Sequence, residues 1–151
     1  SKATQDDAIR RLKKREQQYK LLGDKAPELT GIDQWFPGSP KTLQALRGKV
    51  VLLDFWATWC GPCFDAFPAL AEWHRDQGAD GLVVLGITRY YGQSGGVQMD
   101  NPSEIAFLKA FKEKHGLPYD FVVAKDQSSQ QLYGATGLPT AVLIDRKGVI
   151  R

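Results

Sequence analysis

Cysteine is scarce in this chain. There are two, Cys60 and Cys63, separated by only two residues. A disulfide-stapled scaffold needs several well-separated pairs, so that class is excluded. A bridge across so short a loop also constrains the unfolded chain little, which makes chemistry a better explanation for the pair than stapling. Long apolar runs are absent too. Runs such as Val50 to Leu53, which none exceeds, fall far short of the ~18 residues of a membrane span. The start, Ser1-Lys2-Ala3-Thr4, has none of the apolar character of a secretion signal. It fits a chain whose leader was removed or a piece of a longer protein. Histidine is limited to His74 and His115, and there is no second cysteine pair. A four-ligand zinc site is therefore not expected. Net charge is only +3, too small to suggest nucleic-acid binding.

The 151 residues suit one domain with a flanking segment, and 42 % hydrophobic and 25 % charged residues are ordinary for a globular fold. The positive excess is local, with Arg10, Arg11, Lys13, Lys14 and Arg15 in one short stretch. Such a run reads first as the solvated face of a helix, with an anionic membrane or partner surface as the alternative. A helix is expected over residues 6–22, capped by Asp6 or Asp7, with Ile9, Leu12 and Tyr19 as a thin apolar stripe and Gly23 as its end. Residues 25–40 are rich in turn formers, and Trp35 and Phe36 anchor them to the core. Lys41 to Leu46 suits a short turn of helix.

Val50-Val51-Leu52-Leu53-Asp54-Phe55 is the strongest strand. Its near-continuous apolar character suggests cover on both faces. A helix from Pro62 to about Gln77 follows, with Phe64, Phe67, Leu70, Ala71 and His74 at helical steps. Pro68 should kink it. Leu82 to Ile87 reads as a second buried strand, and the glycine-rich 90–100 as a loop. Asn101 is the expected N-cap of the next helix, with Pro102 at its first position, Glu104 reaching back, and Gly116 as its stop. Phe121 to Ala124 and Ala141 to Ile144 are further strands, with a short helix between at Ser128 to Tyr133 and a hairpin leading into Val149. This order predicts an α/β fold with a parallel part and an antiparallel edge.

The chemistry centres on Trp59-Cys60-Gly61-Pro62-Cys63, placed after a buried strand and opening a helix. The thiolate is the nucleophile of disulfide exchange, and a free thiol titrates at about 8.5. Unpaired N–H groups and the dipole at a helix N-terminus stabilise negative charge on Cys60. Cys63, one turn later, is near enough to attack a mixed disulfide there. Asp54 interrupts an apolar strand, where burial would raise its pKa and suit it to deprotonate Cys63. The alternative is an exposed place at a strand edge. Leu138-Pro139-Thr140 precedes a strand, a setting where a cis X–Pro bond is plausible.

These residues resemble the thioredoxin superfamily, in particular its TlpA/ResA-like branch. The matching pieces are residues 23–29, the block 48–63, Pro68, the segment Gly137-Leu138-Pro139-Thr140, and residues 143–148. The resemblance implies a thioredoxin-like fold with a central mixed β-sheet flanked by helices. It also implies an extra helix inserted between strands, at Pro102 to Gly116, and an exposed disulfide beside a cis Pro139. Residues 1–22 would be a basic helix or linker and 23–151 the domain, whose C-terminal end looks truncated. Cys60 would attack substrate and Cys63 resolve. Trp59, Gly61, Pro62, Leu138 and Thr140 would border the substrate groove, and Asp54 resembles the buried acid of thioredoxin.

The activity implied is thiol–disulfide exchange, as a reductase of protein disulfides supplied by an unidentified electron donor, with no cofactor and no metal. The branch is usually extracytoplasmic, often with a membrane tether, which here would lie outside this chain. Members acting in cytochrome c maturation often carry a glutamate near the end of the second strand. Thr88 and Arg89 occupy that region here, which speaks against that substrate, and Phe64 and Asp65 depart from the residues common after the motif. Two rivals remain. A peroxiredoxin-like peroxidase usually has threonine three positions before its cysteine, where this chain has Ala57. A redox-linked binding module of a larger protein is the other.

Overall fold

The computed structural model describes residues 1–151, apart from the side chain of Lys14. Five strands form one mixed sheet: β1 (Ile32–Phe36), β2 (Val50–Phe55), β3 (Leu82–Arg89), β6 (Asp120–Ala124) and β7 (Thr140–Ile144). Their spatial order is β1-β6-β3-β2-β7. β3 runs parallel to both β2 and β6, while β1 and β7 close the edges antiparallel. The helices are α1 (Lys2–Lys20), α2 (Gly61–Gln77), α3 (Asn101–Lys114) and the short α4 (Ser128–Leu132). The fold is the thioredoxin-like α/β arrangement expected, with α3 as the helix between β3 and β6.

Successive strand residues point to opposite faces, and this sorts the core. Val51, Leu53 and Phe55 of β2 join Leu85, Ile87, Val122 and Tyr133 on one face. Leu52 and Trp56 join Phe67, Leu70, Leu108 and Phe111 of α2 and α3 on the other. Asp54, between Leu52 and Trp56 in alternation, therefore lies on the face that α2 covers. The polar strand residue is not at an edge, since β2 is paired on both sides. α2 continues through Pro68, whose missing N–H leaves the Phe64 carbonyl without its helical partner.

Several local expectations need correction. α1 begins at Lys2, where the Ser1 hydroxyl accepts the Thr4 N–H, so neither Asp6 nor Asp7 is the cap. Its stripe is as thin as its sequence suggests, with Ile9, Leu12 and Tyr19 all exposed. The turn-rich segment contains β1, which owes its existence to pairing with β6 and to the Trp35 Nε1–H donated to Asp120. No alternation of apolar and polar residues announces it. Residues 90–100 hold a small hairpin, β4 (Gln93–Ser94) with β5 (Val97–Gln98). α3 is capped by Asp100, not Asn101, through the Ser103 N–H. The expected strand at Val149 amounts to two isolated bridges, Lys25 with Val149 and Ile144 with Ile150.

Candidate active site

The end of β2 delivers the chain to α2. Trp56 N–H continues the ladder to the Ile87 carbonyl, and Cys60 N–H turns back to Ala57. Cys60 is the N-cap of α2 in an extended conformation, and its Sγ accepts the Cys63 backbone N–H at 3.3 Å. The same N–H also donates to the Cys60 carbonyl at 3.2 Å, so the sulfur shares a first-turn donor of the helix, an arrangement that favours a thiolate. Pro62 sits in the first turn, where its missing N–H leaves nothing unpaired. Cys60 and Cys63 are joined as a disulfide, with Cα atoms 5.4 Å apart.

The expectation of an exposed disulfide overstates its access. Cys60 is 5 % exposed and Cys63 not at all, so only an edge of Cys60 can meet a partner. Both cysteines belong to the buried cluster that includes Trp56 and Phe67, and Leu138 packs against that cluster. Trp59 is 56 % exposed, and Gly61 and Pro62 are also at the surface. The Leu138–Pro139 peptide bond is cis, as is Phe36–Pro37. Leu138 lines a groove with Trp59, Arg89 and Tyr91. Thr140 does not reach that groove. It lines a cleft with Tyr19 and Leu22, and its hydroxyl donates to the Gly137 carbonyl.

Asp54 is 2 % exposed, and its Oδ2 has no hydrogen-bond partner among the described residues. Burial pushes its carboxyl up to about 7. Gly86 lies directly opposite in the register. A side chain there would meet Trp56 Nε1 and Tyr119 Cε2, at 3.0 and 3.1 Å from its Cβ. Burial, with the charge of Asp54 adding, pushes the Tyr119 hydroxyl up as well. The acid thus shares an enclosed aromatic pocket on the face where Cys63 is buried.

Three further residues shape the mouth of the site. Arg89 stacks over the Tyr91 ring, with Cζ 4.0 Å from the centroid. Tyr91 meets Trp59 edge to face at 5.4 Å. Glu104, expected to cap α3, is buried and instead accepts the N–H groups of Tyr91 and Gly92. The sequence offered no sign of this exchange, because an acid in the first turn of a helix looks the same in either role.

A thioredoxin-like sheet with a cysteine pair at the mouth of its active-site helix defines a thiol–disulfide oxidoreductase. The chain belongs to the AhpC/TSA family, which matches residues 22–151. It is 30 % identical over 129 residues to the thioredoxin-like protein YneN of Bacillus subtilis (strain 168), covering 85 % of this chain and 68 % of that protein. It is equally similar to the thiol-disulfide oxidoreductase ResA of Bacillus thuringiensis (strain Al Hakam), of which it spans 66 %. A crystal structure from Chlorobium tepidum, provisionally named thiol:disulfide interchange protein DsbE, superimposes with a TM-score of 0.63. It is 32 % identical and covers 85 % of this chain and 81 % of its own.

Proposed function

We propose that the chain reduces disulfides in other proteins, with Cys60 as nucleophile and Cys63 as resolving thiol. The observation that carries this reading is the Cys60 sulfur at the N-terminus of α2, accepting the Cys63 N–H, with Cys63 buried behind it. In the reduced protein the Cys60 thiolate attacks one sulfur of the substrate disulfide. A mixed disulfide forms and the first substrate thiolate leaves. Asp54 then takes the proton of Cys63, whose thiolate attacks the Cys60 sulfur and releases the second substrate thiolate. Two electrons pass to the substrate, and the protein is left with the Cys60–Cys63 disulfide of this structure.

Trp59, Gly61, Pro62, Leu138 and Pro139 border the approach to Cys60 in this reading, and Thr140 acts only through the strand it begins. Residues 1–22 form a basic helix or linker ahead of a domain at 23–151. An extracytoplasmic site of action, with any tether outside this chain, rests on the resemblance to the TlpA/ResA-like branch. Among the described residues no helix is long and apolar enough to cross a membrane.

The test is the reduction potential of the pair, read by thiol trapping across defined redox buffers. A two-electron transition near or below about −250 mV, toward the thioredoxin end of the scale, supports a reductase. A value near about −120 mV, the DsbA end, makes the protein an oxidant. Hydrogen peroxide consumption without disulfide exchange would favour the peroxidase reading instead.

A further inference from the structure

The groove beside Cys60 has a volume of about 200 Å³ and runs between Trp59 and Leu138, with Arg89, Tyr91, Gln127 and Gln130 along it. Trp59 adjoins the nucleophile in sequence, and Leu138 adjoins Pro139. A chain that brings a sulfur to Cys60 passes these two residues, so its neighbouring side chain is within reach of this groove. Among the described residues Arg89 is the one charged residue lining it.

The guanidinium is fixed in place but not neutralised. Its Nε donates to Gln130 Oε1 at 3.1 Å, and one terminal nitrogen donates to the Tyr90 carbonyl at 3.2 Å. The Tyr91 ring packs against its face. Two of five N–H donors are thus spent on neutral acceptors. Among the described residues no carboxylate lies within 4.0 Å of it. The acids nearby are occupied elsewhere. Glu104 holds the Tyr91 and Gly92 N–H groups, and Asp33 accepts the Tyr90 hydroxyl. A half-buried, pre-oriented guanidinium with free donors is suited to bind a carboxylate in a two-point contact.

We propose that Arg89, braced by Tyr91 and Gln130, is a specificity-determining residue that selects substrate polypeptides carrying an aspartate or glutamate beside the reactive cysteine. This inference rests on the disulfide-reductase reading of Cys60. It adds a charge preference that the redox pair alone does not supply.

The test uses the reduced full chain, freed of excess reductant, in single-turnover reactions with three disulfide peptides. They differ only in the residue next to the cysteine: glutamate, glutamine or lysine. The second-order rate constant for the glutamate peptide is expected to exceed that for glutamine by about tenfold, the scale of one charge-assisted contact. The lysine peptide should be slower still, and added salt should narrow the spread. Arg89→Glu should invert the order to favour lysine, an outcome that loss of structure does not produce. If that variant does not fold, Arg89→Gln should bring the three rates within about twofold, and Arg89→Lys should restore part of the preference. Equal rates for all three peptides with the parent protein would overturn the subsite while leaving the reductase intact. A glutamate preference that persists in Arg89→Gln would also overturn it. Failure to reduce any peptide would remove the reductase reading itself, and the subsite with it.

Discussion

Glu104 Oε2 accepts the backbone N–H of Tyr91 at 2.9 Å, and its Oε1 accepts that of Gly92 at 3.0 Å. One buried side chain on α3 thus holds the segment after β3 and sets where Tyr91, and with it Arg89, meets the groove. Both bonds are charge-assisted, and Glu104 is only 4 % exposed. Glu104→Ala removes the acceptors and leaves two N–H groups to find water. The expected loss is about 2–4 kcal/mol of unfolding free energy. Glu104→Gln keeps one acceptor oxygen and should lose roughly half as much. Urea denaturation at neutral pH measures both. An alanine variant within about 0.5 kcal/mol of the parent, the scale of an ordinary surface change, would mean that the bonds contribute nothing to stability.

The legible parts of this protein are those written in local pattern. The buried strand before Cys60, the glycine and proline between the cysteines, and the apolar steps of Phe67, Leu70 and Ala71 each carry their own signal. The active-site helix and the strand before it follow from them to within a residue. What the pattern does not carry is set by contacts distant in sequence. β1 exists because Trp35 and Phe36 pair with Val122 and Phe121, some 85 residues away. Glu104 leaves its expected place in the cap of α3 because the loop from β3 presents two N–H groups to it, and Asp100 caps the helix where Asn101 was expected to. Arg89 shows as a departure from the family pattern, but only its packing on Tyr91 beside Trp59 places it at the groove. Asp54 lies between. Its strand position is plain from the sequence, while the aromatic enclosure that leaves Oδ2 unpaired is a product of α2, β3 and the Tyr119 segment together.

Gly86 makes that enclosure possible. It faces Asp54 across β2 and β3, and an added Cβ would lie 3.0 Å from Trp56 Nε1, 3.1 Å from Tyr119 Cε2 and 3.4 Å from Phe121 Cδ1. All three are ring atoms of side chains no more than 1 % exposed, so none can swing away into solvent. Gly86→Ala is expected to destabilise the protein by about 1–3 kcal/mol, the usual range for overpacking a dense core. Thermal or urea unfolding of the oxidised protein is the measurement. Parent-like stability would show that the rings can shift together at little cost.

Asp54 ties stability to pH in a direction opposite to that of an ion-paired acid. Its carboxyl titrates at about 7 in the folded protein against 3.8 for the free side chain, because burial disfavours the charge. Between those values the unfolded chain gives up the proton while the folded one keeps it. The folded state binds more protons there, so the Asp54 contribution falls as pH rises from about 4 to 7 and levels off above. The gap corresponds to about 4 kcal/mol at 1.36 kcal/mol per pH unit, an upper bound for a group that can relax. Asp54→Asn removes this dependence. The variant should match the parent near pH 4 and exceed its stability by up to that amount at pH 8, in denaturation of the oxidised forms. The same substitution should slow release of the second substrate thiol in single turnover and abolish its pH dependence around 7, since no carboxylate remains to take the Cys63 proton. Greater stability with slower resolution would mark a side chain kept for chemistry at the expense of the fold. A stability difference constant from pH 4 to 8 would mean that Asp54 stays ionised in the folded protein, and its role as the proton acceptor for Cys63 would then lose its physical basis.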